Sequence, residues 1–140
     1  MSVAGLGAPI VYYRLINDYN GPSWALDVVP DGSGNLMMAR SGNFGGQYWR
    51  LAHEPSAPNK YYIQNLYQEG YSLDIINDRS GVRNKVHLAK SDKVTGQLWT
   101  FTKTSPDGTA FRLSNDFSGP DMFLDVFRFV PCFCIDCGWV

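Results

Sequence analysis

The chain has 140 residues, of which 44% are apolar and 18% charged, with a formal net charge of −1 at pH 7 and a pI near 6.0. This composition excludes a disordered chain, and the weak charge argues against binding to nucleic acid or to an anionic membrane. Eight Tyr, eight Phe and four Trp residues favour β-structure or an aromatic binding surface. The length fits one domain, residues 1–140.

The two ends of the chain carry few signals. Met1 to Val11 is apolar but has no basic residue, so it does not read as a secretory signal, and it is too short to span a membrane. We therefore expect a leaderless, cytoplasmic protein without membrane insertion. All three cysteines, Cys132, Cys134 and Cys137, lie in the last nine residues, which predicts free or oxidisable thiols rather than a disulfide framework or a zinc site.

Short stretches of alternating apolar and polar residues predict strands along the whole chain, and no long window carries a helical apolar stripe. Opening strands are predicted at 11–16, 61–66 and 110–114. Second strands follow at 26–29 and 73–76, third strands at 36–39 and 86–89, and fourth strands at 48–51 and 98–101. Turns at 30–34 and 77–81 are predicted to close hairpins.

The same elements recur along the chain. Segment 17–28 returns 98 positions later as 115–126, with Asn-Asp, Gly-Pro and Leu-Asp-Val at matching places, and a diverged copy reads Tyr-Ser-Leu-Asp-Ile at 71–75. Gln47-Tyr48-Trp49 returns 50 positions later as Gln97-Leu98-Trp99. A period near 50 predicts three lobes, approximately 9–56, 57–106 and 107–140, in a threefold pseudosymmetric barrel.

The two Gln-x-Trp elements, each 20 to 23 residues after the Asp of a Leu-Asp-Val/Ile triplet, resemble those of the ricin-B-type lectins, including small lectins of mushroom fruiting bodies. The resemblance covers about residues 11–126. It implies an all-β protein, a β-trefoil of three four-stranded lobes. It also implies a multivalent lectin for terminal galactose or N-acetylgalactosamine, with no metal, cofactor or enzymatic activity. A protease inhibitor and a structural or actin-bundling protein on the same fold stay open, as does a homodimer.

Candidate site residues follow from this resemblance. One aspartate in each lobe would accept hydrogen bonds from sugar hydroxyls, and the alternative is a carboxylate that holds a turn by accepting backbone N–H bonds. A sugar also needs an apolar wall for its C–H face, and Phe44 offers one in lobe 1 where lobe 2 has Val94. The predicted carbohydrate-binding residues are Asp27, Arg40, Asn43, Phe44, Gln47, Asp74, Lys90, Lys93, Gln97 and Asp125.

The remaining motif residues have structural interpretations. Trp49 and Trp99 are predicted to fill the core, with Gln47 and Gln97 bridging loop backbone. His53 and His87 lack the neighbours that catalytic or metal-ligating motifs require. Lobe 3 is atypical or shortened, because residues 127–140 contain no Gln-x-Trp. Trp139 is a candidate to replace the missing core tryptophan, and the third site stays open.

Overall fold

The computed structural model describes residues 9–77, 85–126 and 133–137, the last of these as strand backbone only. These residues form ten strands and two three-residue 3-10 turns, Gly45–Gln47 and Thr95–Gln97. The strands are β1 Trp24–Val28, β2 Leu36–Arg40, β3 Trp49–His53, β4 Lys60–Asn65, β5 Tyr71–Ile75, β6 Val86–Lys90, β7 Leu98–Lys103, β8 Phe111–Asn115, β9 Gly119–Val126 and β10 Phe133–Cys137. In the described part of the chain, no helix is long and apolar enough to cross a membrane.

Three antiparallel hairpins repeat with one register. In β1–β2 Asp27 pairs with Met37, in β5–β6 Asp74 pairs with His87, and in β9–β10 Asp125 pairs with Cys134. The third hairpin shows that lobe 3 keeps its second and third strands. Predictions for Cys132, for Trp139 and for the turn at 78–81 lie outside the described residues.

The rest of the sheet connects one lobe to the next. β3 pairs with β4, β4 also pairs with β7, and β7 pairs with β8, so each fourth strand lies beside the opening strand of the following lobe. An all-β fold was predicted, and it is confirmed.

The predicted strand at 11–16 is wrong over most of its length. In this segment only Tyr13 pairs with another strand. It forms one antiparallel bridge with Trp49, and the two residues exchange backbone hydrogen bonds of 2.7 and 2.9 Å. The other edge of β3 pairs along its full length with β4, while the Leu15 carbonyl accepts a hydrogen bond from Leu26 of β1. The segment is therefore shared between two neighbours instead of extending one ladder.

Two tryptophans occupy equivalent places in the core, as predicted. Trp49 and Trp99 are both fully buried, and their indole Nε1 atoms donate to the carbonyls of Leu26 and Leu73 at 3.1 and 3.0 Å. Each indole thus buries a large apolar area with its one polar atom satisfied. The acceptors belong to the Leu-Asp triplets, so the core tryptophans also fix the backbone that carries the aspartates.

Candidate functional site

Strand alternation places the aspartate of each Leu-Asp triplet on the outer face of its hairpin. Leu26 and Val28 are buried in the core, and Asp27 between them points the other way and is partly exposed. Its Oδ1 accepts the Val28 N–H at 2.8 Å and touches Gly46, where any side chain would overlap the carboxylate. The glycine therefore creates the space that the carboxylate occupies.

Gln47 ties this carboxylate to the adjoining loop. Its amide Nε2 donates to the Arg40 carbonyl at 2.8 Å and to Asp27 Oδ2 at 3.1 Å, while its Oε1 accepts the Gly42 N–H at 3.0 Å. Because Gln47 is fully buried and both amide hydrogens are used, it orients Asp27 and the loop instead of contacting a ligand. The prediction that it bridges loop backbone is confirmed.

Gln97 repeats part of this arrangement in lobe 2. Its Nε2 donates to the Lys90 carbonyl at 2.9 Å, and its Oε1 accepts the Asp92 N–H at 2.8 Å. It is 2% exposed, so the same backbone-bridging prediction is confirmed here. Among the predicted residues, Asp27, Gln47 and the Arg40 backbone are thus brought together in lobe 1, and Gln97 and the Lys90 backbone in lobe 2.

The loop at 41–44 carries the other predicted residues of lobe 1. The Phe44 ring is 59% exposed and lies over the backbone of Gly42, where a side chain would overlap it. Asn43 Oδ1 accepts a hydrogen bond from the Tyr48 hydroxyl at 2.9 Å. The ring is thus available as an apolar wall, whereas the Asn43 carbonyl is engaged by a neighbour.

Arg14 supports this loop and was missed from the sequence. Its Nη2 donates to the Gly42 carbonyl at 2.7 Å and to the Tyr48 hydroxyl at 2.8 Å, and its guanidinium lies 5.0 Å from the centre of the Tyr48 ring. In the sequence, Arg14 is only a charged residue in an apolar stretch, and this pattern does not indicate which residues it contacts.

Trp24 was also missed. It precedes the Leu-Asp triplet, is 37% exposed and pairs in register with Arg40, whose guanidinium lies 5.6 Å from the centre of its ring. Arg40 was predicted to donate to sugar oxygens. The structure places its head group over an aromatic face beside the site, a contact that fixes the arginine side chain.

The lobe 2 site differs in what faces the carboxylate. Asp74 Oδ2 lies 3.0 Å from His87 Nε2, and their side chains are 15% and 31% exposed. Lobe 1 has Met37 at the register position of His87, so the residue paired with Asp27 has no imidazole to bind the carboxylate. Sequence reasoning missed this pair because the hairpin register decides which residue lies opposite.

The side chains of three predicted residues, Lys90, Lys93 and Asp125, lie outside the hydrogen-bond networks described above. Val94, which replaces Phe44, is 43% exposed, and the Lys90 and Lys93 side chains are exposed at the same loop. Lys93 N donates to Asp92 Oδ1 at 2.7 Å. In lobe 3, Asp125 is exposed and its Oδ1 accepts the Val126 N–H at 2.7 Å, as Asp27 does with Val28. The loop that would complete this site lies outside the described residues.

Three described side chains have shifted pKa values, and one of them, Tyr62, lies in strand β4. Hydrogen bonds from the Ser56 N–H and hydroxyl lower the pKa of Glu54, and those from Ser33 lower the pKa of Asp31. Burial, together with the hydrogen bond to Glu54, raises the pKa of Tyr62. Within the described ranges, no three His, Cys, Asp or Glu side chains cluster closely enough to hold a metal ion.

Comparison with solved structures identifies the fold. The chain is similar over 94% of its length to part of a mosquitocidal holotoxin (TM-score 0.78, 16% identity), over 89% to the designed threefold-symmetric protein ThreeFoil (TM-score 0.69, 23% identity), and over 96% to the BEL β-trefoil in an apo crystal form (TM-score 0.68, 17% identity). At these identities the similarity shows the fold alone. The predicted β-trefoil is confirmed.

The lengths of the compared chains differ. This chain spans 16% of the holotoxin chain, 86% of ThreeFoil and 88% of the BEL β-trefoil. No protein-family model matches the sequence, and no curated protein matches it.

Proposed function

We propose that the protein is a lectin that recognises terminal galactose or N-acetylgalactosamine on glycans through several sites, without a metal, a cofactor or enzymatic activity. The observation that carries this proposal is the Asp27 carboxylate, seated against Gly46 and held by Val28 and Gln47. A carboxylate has about four lone-pair positions, so about two remain for vicinal sugar hydroxyls. The carboxylate thus holds a turn and still offers acceptors to a ligand.

Exposed aromatic rings supply the second requirement of a sugar site. Phe44 is more than half exposed in the loop that Gln47 anchors, and Trp24 lies at the start of the strand that carries Asp27. An apolar ring face suits the C–H side of a pyranose, and fixed acceptors suit its hydroxyls. The β-trefoil fold and the Gln-x-Trp resemblance support carbohydrate as the ligand class. The resemblance alone supplies the preference for galactose.

Several sites are needed for useful avidity. One shallow sugar site binds weakly, on the order of mM, so linked sites must engage a glycan-covered surface together. Asp27 and Asp74 occupy equivalent hairpin positions, and Asp125 lies in the same register. We propose lobe 1 as the strongest site, because its Phe44 wall is Val94 in lobe 2.

Retention on immobilised galactose tests this function. The protein should be retained on galactose beads, released by free galactose but not by free mannose, and retained equally in EDTA. The matched control carries Asp27→Asn, Asp74→Asn and Asp125→Asn together and should pass through. Absence of retention, or retention that calcium restores after EDTA, contradicts the proposal. Absence of retention together with inhibition of a protease would favour the inhibitor alternative.

A further inference from the structure

A hydrogen-bonded Asn-x-aromatic turn recurs at the equivalent position of each lobe, outside the Leu-Asp and Gln-x-Trp motifs. In each copy the Asn Oδ1 accepts the backbone N–H of the aromatic residue, at 2.8, 2.9 and 2.9 Å. The aromatic side chains are 65%, 58% and 46% exposed. The three copies are Asn17 with Tyr19, Asn65 with Tyr67, and Asn115 with Phe117.

The hydrogen bond of this turn accounts for the asparagine but does not require an aromatic side chain two residues later. The hydrogen bond uses only the backbone N–H of the aromatic residue, so any residue with an N–H would complete the turn. A single exposed ring on a protein surface needs no explanation. Three rings at equivalent positions of three lobes are a repeated feature, and the fold does not require it.

These loops lie beside the site of the preceding lobe. Asn65 is buried, and its Nδ2 donates to the Gly46 carbonyl at 2.9 Å, while the Leu66 N–H donates to the Tyr48 carbonyl at 3.0 Å. Gly46 is the residue against which Asp27 sits. The aromatic loop of lobe 2 is therefore hydrogen-bonded to the turn that supports the lobe 1 carboxylate.

The next pair of lobes repeats this connection. Asn115 Nδ2 donates to the Gly96 carbonyl at 2.8 Å, and the Asp116 N–H donates to the Leu98 carbonyl at 3.0 Å. Gly96 in turn lies under Asp74, since a side chain there would come within 2.6 Å of Asp74 Oδ1. For Tyr19, the turn that would correspond in lobe 3 lies outside the described residues.

Tyr67 and Asp27 lie against consecutive residues of one turn. A side chain at Gly45 would come within 3.4 Å of the Tyr67 Cβ, and one at Gly46 would overlap Asp27. The Asp27 carboxylate and the Tyr67 Cβ thus belong to different lobes but lie against neighbouring residues of one turn. A hydroxyl acceptor and an exposed aromatic residue on the two sides of one turn suit a ligand longer than one sugar.

We propose that Tyr67 forms a second subsite of the lobe 1 site, on which the sugar next to the terminal galactose stacks, and that Phe117 does the same for lobe 2. The proposal rests on the galactoside-binding function proposed above and adds that the preferred ligand is an oligosaccharide bound across a lobe boundary. Phe117 stands between two polar residues, whereas Tyr67 follows Leu66, which is 43% exposed. One or two exposed side chains suit a single sugar ring, whereas a protein partner needs a broad apolar patch.

Calorimetry with mono- and disaccharides tests the subsite. Methyl galactosides are compared with lactose and N-acetyllactosamine, which add one ring in the same β-linkage, and with melibiose, which adds one in an α-linkage. In the wild type, at least one disaccharide should bind more tightly than its monosaccharide. Tyr67→Ala should leave the monosaccharide affinity unchanged and weaken that disaccharide about threefold to tenfold, the usual range for one aromatic contact. Tyr67→Phe, which keeps the stacking face, should restore most of the affinity.

Combining variants tests the lobe assignment. The Tyr67→Ala effect should vanish in an Asp27→Asn background and persist in an Asp74→Asn background. The opposite pattern, or an equal loss for mono- and disaccharides, overturns the cross-lobe subsite while leaving the lectin function intact. So does a wild type that gains nothing from a second ring in any linkage. A wild type that binds none of these sugars overturns the proposed function, and the subsite with it.

Discussion

The Oδ1 atom of Asp27 touches Gly46 at the place that a side-chain carbon of residue 46 would occupy. The same contact recurs between Asp74 and Gly96, where a side-chain carbon would come within 2.6 Å of the carboxylate. Each carboxylate therefore depends on a glycine some 20 residues further along the chain. This dependence makes the turn glycine part of the candidate site.

Gly46→Ala should displace the Asp27 carboxylate. The added methyl group would overlap the carboxylate and lie 3.3 Å from the Val28 nitrogen, so the carboxylate must move and the Val28 backbone must shift slightly. We expect a loss of about 1–3 kcal/mol in the free energy of unfolding, typical of overpacking, and loss of galactoside binding in lobe 1. Urea unfolding and calorimetry measure the two effects.

Gly45→Ala is the matched control. Its added carbon lies 3.4 Å from the Tyr67 Cβ, an ordinary van der Waals contact, and the turn is otherwise identical. We expect a change within about 0.5 kcal/mol in unfolding free energy and unchanged monosaccharide binding. Equal effects of the two substitutions would show that the turn tolerates no side chain at all, and would remove the special role of the Asp27 contact.

Asp27→Asn should weaken sugar binding and also destabilise the fold. The amide can no longer accept at both oxygen positions, so an N–H group must face either the Val28 N–H or the Gln47 amide. We expect a loss of about 1.5–3 kcal/mol in galactoside binding, together with a lower melting temperature. An unchanged affinity with a lowered melting temperature would assign Asp27 to the scaffold alone.

Asp74→Asn should cost less in both measurements. Its partner is the His87 ring, which can either donate to or accept from an amide, so the contact survives the substitution. The lobe 2 loop also lacks the Phe44 wall and should contribute less affinity at the start. A larger drop in melting temperature for Asp74→Asn than for Asp27→Asn would contradict this comparison.

The sequence predicts the features that depend on the repeat. The burial of Trp49 and Trp99, and the bridging role of Gln47 and Gln97, follow from a 50-residue offset in an otherwise strand-rich chain. Features that depend on hairpin register do not follow in the same way. The Asp74–His87 pair is one of these.

Contacts made through tertiary packing were not predictable either. Arg14 contacts a loop 28 residues away, because Tyr13 pairs with Trp49 and so places the next residue beside that loop. Trp24 lies under Arg40 for the same kind of reason, a cross-strand register set by the β1–β2 hairpin. Neither contact has a local signature in sequence spacing, since both depend on which strands become neighbours.

Glu54 should contribute stability that is lost in acid. Its pKa is lowered below the ordinary value of 4.5 by hydrogen bonds from Ser56, so the folded state favours the carboxylate. That contribution is fully present above about pH 4.5 and declines as the pH falls through the lowered folded pKa. Glu54→Gln should therefore flatten the acid limb of the stability curve, measured as urea midpoints between pH 2 and 7. An acid limb as steep as that of the wild type would contradict this.

Arg14→Gln should loosen the lobe 1 loop without unfolding the protein. The arginine is exposed and links Gly42, Tyr48 and, through the Tyr48 hydroxyl, Asn43, so its loss frees the loop that carries Phe44. Surface hydrogen bonds of this kind contribute about 1 kcal/mol, so the melting temperature should change little. Galactoside affinity in lobe 1 should fall about fivefold. Ordering the freed loop on binding costs free energy, and this cost is about as large as the contribution of one such hydrogen bond.

Tyr48→Phe provides the control for Arg14. It removes the hydroxyl that joins Arg14 to Asn43 but keeps the ring on which the guanidinium stacks, and it leaves the Arg14 bond to the Gly42 carbonyl in place. Its affinity loss should be smaller than that of Arg14→Gln. In an Asp27→Asn background neither substitution should alter the remaining binding, because both act through the loop beside Asp27. A loss that persists in that background would show that Arg14 acts on another site or on the fold as a whole.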